Sequence, residues 1–325
     1  MGAVSLDIKS VPGRPTQMEL VSVIPGTIPF TVRTLDVTQT TEADVDDVIR
    51  TQQDPVEVFA VLTVSVTQNE TMYQKMPDIG AIRYNAAIDA HYNACQFVLF
   101  MREILHVHIL GTCDSITVLY GVRDKTGACY YRDGIIAIGI GDNGIRPASS
   151  TDVIGHELTH ALCTQSGELT GEAGALHEHF ADGLGTAFEE YVYRRLATQQ
   201  RANWTIGESV RCGFFRSMCD PWATDCPRTY RGRYWIDTTS TTDHGGIHVN
   251  CGVGNYFFYL LSQRIGIGLA TQLLVDVMYR RPKTYKDYVS NVLVMAQIYN
   301  VVAPCRDCLA TCRLIPDRRN ACLVA

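Results

Sequence analysis

The stretch "TDVIGHELTHALC" (151–163) is the one from which the fold of this chain can be inferred. It carries His156 and His160 four positions apart, with Glu157 directly after the first histidine. The pattern predicts a helix that begins near the serines of "PASS" (147–150), and residues four apart lie on one face of a helix. Two imidazoles on one face can bind one metal ion while the carboxylate projects beside it. The alternative is an exposed helix with two solvated histidines.

A second helix is predicted from residue 174 onwards, because apolar residues recur there at every fourth position. This helix offers the third protein ligand that a catalytic zinc site needs. Glu178 would complete a His, His, Glu set, and Asp182 on the same face can accept the free ring N–H of a liganding histidine. Further along, "TDHGGIHVNCG" (242–252) contains His248, with Asp243 placed to orient its ring. A closed structural zinc site would need a fourth protein ligand, which this pattern lacks.

Four motifs, in this order, resemble those of the thermolysin-like neutral zinc metallopeptidases: "HELTH" (156–160), "GALHEHFAD" (174–182), "RSMCDP" (216–221) and "DHGGIHVNCG" (243–252). The resemblance covers about residues 85–270. It implies that His156, His160 and Glu178 bind one catalytic zinc ion. It also implies that Glu157 is the base that activates zinc-bound water.

The same resemblance implies roles for the residues around the metal. Asp182 would be the partner of a liganding histidine. His248 and Arg216 would bind the substrate carbonyl and stabilise the oxyanion, and Asp243 would hold His248. The implied activity is zinc-dependent hydrolysis of peptide bonds within a chain, on the amino side of bulky hydrophobic residues.

The predicted fold class is α+β, a thermolysin-like two-domain metallopeptidase with the active-site cleft between the domains. Alternating apolar and β-branched residues predict β-structure over residues 18–68, and a helical period predicts a buried helix over 85–105. We expect a β-rich domain over residues 1–150. A mainly helical domain over residues 151–325 would begin with the metal-binding helix.

The chain departs from the family pattern at several positions. The family usually has asparagine before the third ligand and a small residue after it, whereas this chain has His177 and His179. Both would point away from Glu178 on a helix, so we expect solvated side chains or partners of residues near the metal rather than further ligands. The tyrosine that assists the oxyanion falls near Leu169 and is absent. The asparagine that holds the peptide backbone is not evident near 128–134.

Three acidic residues, Asp152, Glu189 and Glu208, occupy positions where the family binds calcium, and Ca²⁺ prefers oxygen ligands. Asn203 and Thr205 stand where further carboxylates are usual. We expect one structural calcium ion, with a second site weakened or lost. The alternative is that these acids are solvated residues at helix ends.

Composition limits the remaining classes of function. The chain has 325 residues, of which 46% are hydrophobic and 19% charged, as is typical of a globular protein. A net charge of -6 without a basic stripe argues against a nucleic-acid partner, and no apolar run approaches the roughly 18 residues of a membrane span. We expect a monomer that acts on peptides or proteins.

The cysteine content favours an oxidising compartment. Twelve cysteines, an even number, indicate disulfides and a secreted, extracellular protein. Residues 1–20 lack the apolar core of a signal peptide. Either a leader has been removed or export is unconventional, and the sequence does not distinguish these two routes.

Two alternatives to an endopeptidase remain. An aminopeptidase with the same ligands would need an acidic anchor for the free amine of its substrate, and no GxMEN-like segment supplies one. A catalytically weak or latent relative could bind peptides or proteins as an effector. The missing tyrosine and asparagine favour this second alternative, whereas the presence of Glu157, His248 and Arg216 argues against it.

Overall fold

The computed structural model of the chain describes residues 5–10, 18–24, 30–37, 40–51, 65–67, 81–108, 110–139, 149–163, 169–210 and 213–316. The chain divides into two units. Unit 1 comprises Met1–Leu162 with Ser209–Cys212, and unit 2 comprises Cys163–Glu208 with Gly213–Ala325. The domain boundary expected after residue 150 stays a prediction, and the helix that follows this position belongs to unit 1.

Unit 1 is built on a mixed β-sheet. Its described strands are β1 (Ser5–Ser10), β2 (Met18–Ile24), β3 (Phe30–Asp36), β4 (Ser65–Thr67), β5 (Ser115–Val122), β6 (Ala128–Tyr130) and β7 (Ile135–Gly139). In the described part of the chain they form one sheet in the order β4-β1-β2-β3-β5-β7-β6. The central strands β3, β5 and β7 are parallel, whereas the pairs outside them are antiparallel. Parallel central strands are buried on both faces, and all five residues of β7 are buried.

Three described helices accompany the sheet: α1 (Glu42–Arg50), α2 (Ala81–Glu103) and α3 (Thr151–Leu162). α2 confirms the helix predicted over 85–105, and α3 confirms the helix predicted from "HELTH". Asn93 on α2 fixes the start of α3, because its Nδ2 donates to the carbonyl of Ser149 at 2.9 Å and its Oδ1 accepts from the hydroxyl of Thr151 at 3.2 Å.

The prediction of β-structure throughout residues 18–68 is wrong at α1. Thr41 and Asp44 form a capping box, in which each side chain accepts a hydrogen bond from the backbone N–H of the other residue. This reciprocal bonding satisfies two backbone N–H groups at the start of a helix. Val45 on α1 then packs into a core cluster with Leu35 and Leu119 of the sheet. Of the strand-forming segment "VEVFAVLTVSV" (56–66), residues 56–64 lie outside the described residues, and Ser65 and Val66 belong to β4.

Unit 2 is mainly helical, as predicted. Its described elements are α4 (Gly171–Arg195), β8 (Thr205–Ile206), β9 (Arg216–Ser217), α5 (Asp243–Asn250), α6 (Gly252–Ile265), α7 (Ile267–Tyr279), α8 (Tyr285–Ile298) and α9 (Val302–Thr311), with a short 3-10 helix at Pro221–Thr224. α4 is buried along most of its length, and its apolar residues at every fourth position, Leu176, Phe180, Leu184 and Phe188, are at most 1% exposed. No described helix is long and apolar enough to cross a membrane.

The described cysteines do not support the predicted disulfides. In the part of the chain that the structure describes, the following are thiols: Cys113, Cys129, Cys163, Cys219, Cys226, Cys251, Cys305, Cys308 and Cys312. Burial raises the pKa of Cys308 to about 11 and that of Cys305 to about 12. Thiols of this kind react slowly because the thiolate is the reactive form. Cys212 and Cys322 lie outside the described residues.

Candidate active site

Helix α3 brings the two predicted histidine ligands together in unit 1. The Nε2 atoms of His156 and His160 lie 3.1 Å apart, and the rings meet edge to face with centroids 4.7 Å apart. Two tetrahedral ligands at about 2.0–2.1 Å from one zinc ion would be about 3.3 Å apart, so the observed spacing suits a shared ion. Glu157 lies beside them and is 7% exposed, like His156. The alternative of an exposed helix with solvated histidines is therefore wrong for His156.

The edge strand of the sheet passes close to this pair. Tyr130 of β6 places its ring 6.4 Å from the ring of His160, measured between centroids. Burial raises the pKa of Tyr130 to about 12, so its hydroxyl stays protonated at neutral pH. β6 is the last strand of the described sheet, and in the part of the chain that the structure describes no further strand pairs with its other side.

In unit 2, α4 brings Glu178 close to two other predicted residues. Glu178 is 6% exposed. Its Oε2 atom lies 3.7 Å from Nε2 of His248 and 3.9 Å from Nη2 of Arg216. A carboxylate, a guanidinium and an imidazole thus converge within unit 2.

Arg216 is held by a buried carboxylate. Asp182 is fully buried and accepts from Nε and Nη2 of Arg216, each at 2.7 Å. Burial alone would lower the pKa of Arg216, but the attraction of Asp182 outweighs it and raises this pKa well above its usual value. Arg216 is therefore a cation fixed in position by a bidentate pair. The expected bond from Asp182 to a liganding histidine stays a prediction.

A left-handed turn positions His248. Asp243, His244, Gly245 and Gly246 all have positive φ, between 50° and 84°. This turn lets one oxygen of Asp243 accept from the backbone N–H groups of His248 and Val249, at 2.8 and 3.2 Å. The other oxygen lies 2.6 Å from Nδ1 of His248, so Nδ1 carries the proton and Nε2 faces Glu178.

The two histidines beside Glu178 are buried. His177 is 8% exposed and His179 is fully buried, so neither side chain is solvated, and the other expectation, that they are partners of residues near the metal, stays a prediction. The ring of His179 contacts Oδ1 of Asn255 through Nδ1 at 3.1 Å and the hydroxyl of Tyr288 through Nε2 at 3.0 Å. Burial lowers the pKa of His179 to about 4. Sequence reasoning missed Asn255 and Tyr288, although an asparagine inside the apolar run "GVGNYFFYLL" (252–261) is a signal for a buried polar contact.

The three predicted calcium ligands have different surroundings. Asp152 in unit 1 is 1% exposed and Glu189 in unit 2 is 3% exposed, so neither is a solvated residue at a helix end. Glu189 accepts from the hydroxyl of Tyr193 at 3.2 Å. Glu208 accepts from the hydroxyl of Thr205 at 2.9 Å. A calcium ion bound by these carboxylates stays a prediction.

Both parts of the chain match models of one protein family. Residues 25–164 match the catalytic domain of thermolysin metallopeptidases, and residues 168–299 match their alpha-helical domain. Together these matches cover most of the chain.

Individual relatives agree with the family models. The chain is 34% identical to bacillolysin of Bacillus cereus over 219 residues, which are 62% of the chain and 36% of that protein. It is 31% identical to thermolysin of Alicyclobacillus acidocaldarius subsp. acidocaldarius over 222 residues, 63% of the chain and 39% of that protein. The match thus spans less than two fifths of these relatives.

A solved structure shares the fold. The precursor of protealysin, a metalloproteinase from Serratia proteamaculans, aligns with a TM-score of 0.67 over 90% of each chain. Its sequence identity is 17%, so this likeness establishes the fold alone.

Proposed function

Because the chain belongs to the thermolysin metallopeptidase family, whose two domain models it matches, we propose that it is a zinc-dependent endopeptidase. The observation that carries the proposal is the 3.1 Å spacing of the Nε2 atoms of His156 and His160, beside the buried carboxylate of Glu157. This spacing suits two ligands of a single ion with a base next to it.

The donor set fits zinc by its chemistry. Two imidazoles, from His156 and His160, and one carboxylate, from Glu178, are nitrogen and oxygen ligands that zinc prefers. Three protein ligands leave one position for water, as catalytic zinc sites require. We propose that these three residues bind one zinc ion. A zinc ion bound there would lower the pKa of its water to roughly 7.

The surrounding residues have distinct tasks in this proposal. Glu157 accepts the proton of the attacking water and later passes it to the leaving amine. Arg216, fixed by Asp182, donates to the carbonyl oxygen of the scissile bond as negative charge develops on it. His248, whose Nδ1 is bound by Asp243, donates from Nε2 to the same oxygen when its ring is protonated.

The substrate is an extended peptide or protein segment. We propose that it pairs with β6, because this strand ends the described sheet and its Tyr130 lies beside His160. Cleavage on the amino side of bulky hydrophobic residues is the finer proposal. It rests on the family resemblance.

Hydrolysis of an internally quenched peptide tests the function. The peptide is blocked at both ends and carries Gly-Leu at its centre, so that an aminopeptidase cannot start on it. We expect wild type to cut before Leu, a zinc chelator to abolish cleavage, and added zinc to restore it. Glu157→Gln should remove activity while keeping the metal content, whereas Glu103→Gln, an exposed position, should act like wild type.

Two results would overturn the proposal. One is cleavage that persists in the chelator, and the other is a folded, zinc-loaded wild type that cuts no peptide. The second result would favour the alternative of a latent, peptide-binding effector.

We also propose one structural calcium ion bound by Asp152, Glu189 and Glu208, because carboxylate oxygens are the ligands that Ca²⁺ prefers. The proposal rests on the family resemblance, in which these three positions bind calcium. Titration of calcium into the zinc-loaded protein in a calorimeter checks this, and the absence of heat would contradict it.

Secretion and a monomeric state stay predictions.

A further inference from the structure

A row of buried polar side chains in unit 2 leads to the Asp182–Arg216 pair. The hydroxyl of Tyr288 lies 3.0 Å from Nε2 of His179, and Nδ1 of His179 lies 3.1 Å from Oδ1 of Asn255. Nδ2 of Asn255 donates to Oδ2 of Asp182 at 2.7 Å. Each of Tyr288, His179, Asn255 and Asp182 is at most 1% exposed. We call these four residues the polar row.

Asp182 sets the direction of hydrogen bonding along the polar row. Its carboxylate can only accept, so the amide nitrogen of Asn255 faces it and the amide oxygen faces His179. His179 must then donate from Nδ1. The two members of the polar row that contact His179, Asn255 and Tyr288, are uncharged, and a ring buried among uncharged groups is neutral. Nε2 therefore carries no proton and accepts from the hydroxyl of Tyr288.

The local sequence of α6 makes room for His179. Gly254 precedes Asn255, and a Cβ atom at this glycine would lie 2.4 Å from Cγ of the imidazole. Any larger residue there would displace the ring. Glycine weakens a helix interior relative to alanine, so helix stability alone does not explain this choice. The imidazole occupies the space that the missing side chain leaves.

We propose that His179 is a positioning residue for the peptidase reaction, which acts on Arg216 through Asn255 and Asp182. Oδ2 of Asp182 accepts from both Asn255 and Nε of Arg216, while Oδ1 accepts from Nη2 of Arg216. With the amide of Asn255 locked by His179, the carboxylate cannot rotate, and the guanidinium plane stays fixed. The effect on catalysis rests on the function proposed above, whereas the polar row is a property of unit 2 itself.

Two substitutions at His179 separate hydrogen bonding from packing. His179→Gln keeps one donor and one acceptor at about the spacing of the ring nitrogens, whereas His179→Leu keeps volume and loses both. We expect His179→Leu to lower kcat at least tenfold with KM within twofold, and His179→Gln to stay within threefold of wild type. Phe188→Leu, a core substitution on the same helix, controls for lost stability and should keep kcat.

A double-mutant cycle tests whether His179 acts through Arg216. In an Arg216→Lys background the bidentate pair is already gone, so His179→Leu should lower kcat less than threefold further. An equal tenfold loss in both backgrounds would overturn the proposal. So would a His179→Leu variant that keeps the kcat of wild type.

The proton position is a readout that does not depend on activity. NMR of protein labelled with ¹⁵N-histidine reports this position. The signal of His179 is assigned by its loss in His179→Gln, and we expect it to be that of a neutral ring protonated at Nδ1. An Nε2-protonated ring in an active peptidase would overturn the polar row and leave the proposed function intact. An Nδ1-protonated ring in a protein that cuts no peptide would overturn the proposed endopeptidase function. The positioning role of His179 in catalysis would fall with it, while the hydrogen bonds of the polar row would be confirmed.

Discussion

At the scale of single residues, Arg216 depends on the shape of its side chain as well as on its charge. Two 2.7 Å bonds to Asp182 hold the guanidinium, and an ammonium cannot form both in one plane. We therefore expect Arg216→Lys to lower kcat by about 10²–10³-fold, the usual loss when one oxyanion donor is removed. Steady-state hydrolysis of the quenched peptide, together with metal analysis, measures this.

The matched control for that substitution is Arg264→Lys. Arg264 pairs with Asp307, and both side chains are largely exposed. This variant should behave like wild type, since exposed ion pairs contribute about 0–1 kcal/mol. A kcat for Arg216→Lys within twofold of wild type would show that the positive charge at this position is sufficient and that the planar shape of the guanidinium is not required.

His91 makes the stability of unit 1 depend on pH. It is 3% exposed and contacts the hydroxyl of Thr34 through Nδ1 at 3.0 Å. Burial lowers its pKa from the ordinary 6.5 to about 3. The unfolded chain therefore binds an extra proton between these values, and stability falls as the pH falls below 6.5.

Between pH 7 and pH 5 this one group should remove about 2 kcal/mol from the free energy of unfolding. Urea denaturation at the two pH values measures the difference in wild type and in His91→Gln, which cannot take up the proton. We expect the loss to be smaller in the variant by about that amount. Identical losses in both proteins would exclude His91 as the cause.

At the scale of secondary-structure elements, the left-handed turn 243–246 is the feature on which the orientation of His248 depends. Gly245 has a φ of 84°, and a Cβ atom there would lie 2.6 Å from the carbonyl oxygen of Thr238. Gly245→Ala should therefore move the turn, release the ring of His248 from Asp243 and lower kcat about tenfold or more.

Gly266→Ala is the control for Gly245→Ala, because it introduces the same backbone strain without a steric clash that would displace a turn. Gly266 has a φ of 81°, but nothing lies within 4 Å of a Cβ atom at this position. Both substitutions should cost roughly 1–2 kcal/mol of stability for the left-handed conformation. Only Gly245→Ala should reduce kcat, as measured with the quenched peptide. An equal effect of both variants on kcat would refute the role of the turn.

The element order was largely predictable, because helices and strands follow from local signals. The helical period of α2 and α4 and the apolar run of β5 lie within short stretches of sequence. α1 was missed because strand-forming residues surround it, although its capping box was present in the sequence. The contacts of His179 could not be predicted, since Asn255 and Tyr288 lie 76 and 109 residues away and no local period encodes them.

At the scale of the whole molecule, the redox state of the cysteines distinguishes two interpretations of the chain. Their number predicts disulfides and secretion. The nine cysteines named above as thiols lie in the described part of the chain, and six of them are buried: Cys163, Cys226, Cys251, Cys305, Cys308 and Cys312. Burial raises the pKa of each of these six groups, which makes them slow nucleophiles while the protein is folded.

Alkylation without reductant, followed by intact mass measurement, decides between the two interpretations. The structure predicts that the folded protein takes up few alkyl groups and that the protein unfolded in denaturant takes up at least nine, one for each of the nine named thiols. The folded sample is the control, because it shows which thiols burial protects. Fewer than nine groups in the unfolded protein would mean that described cysteines are paired. Secretion would then regain its main support, since disulfides persist in oxidising compartments.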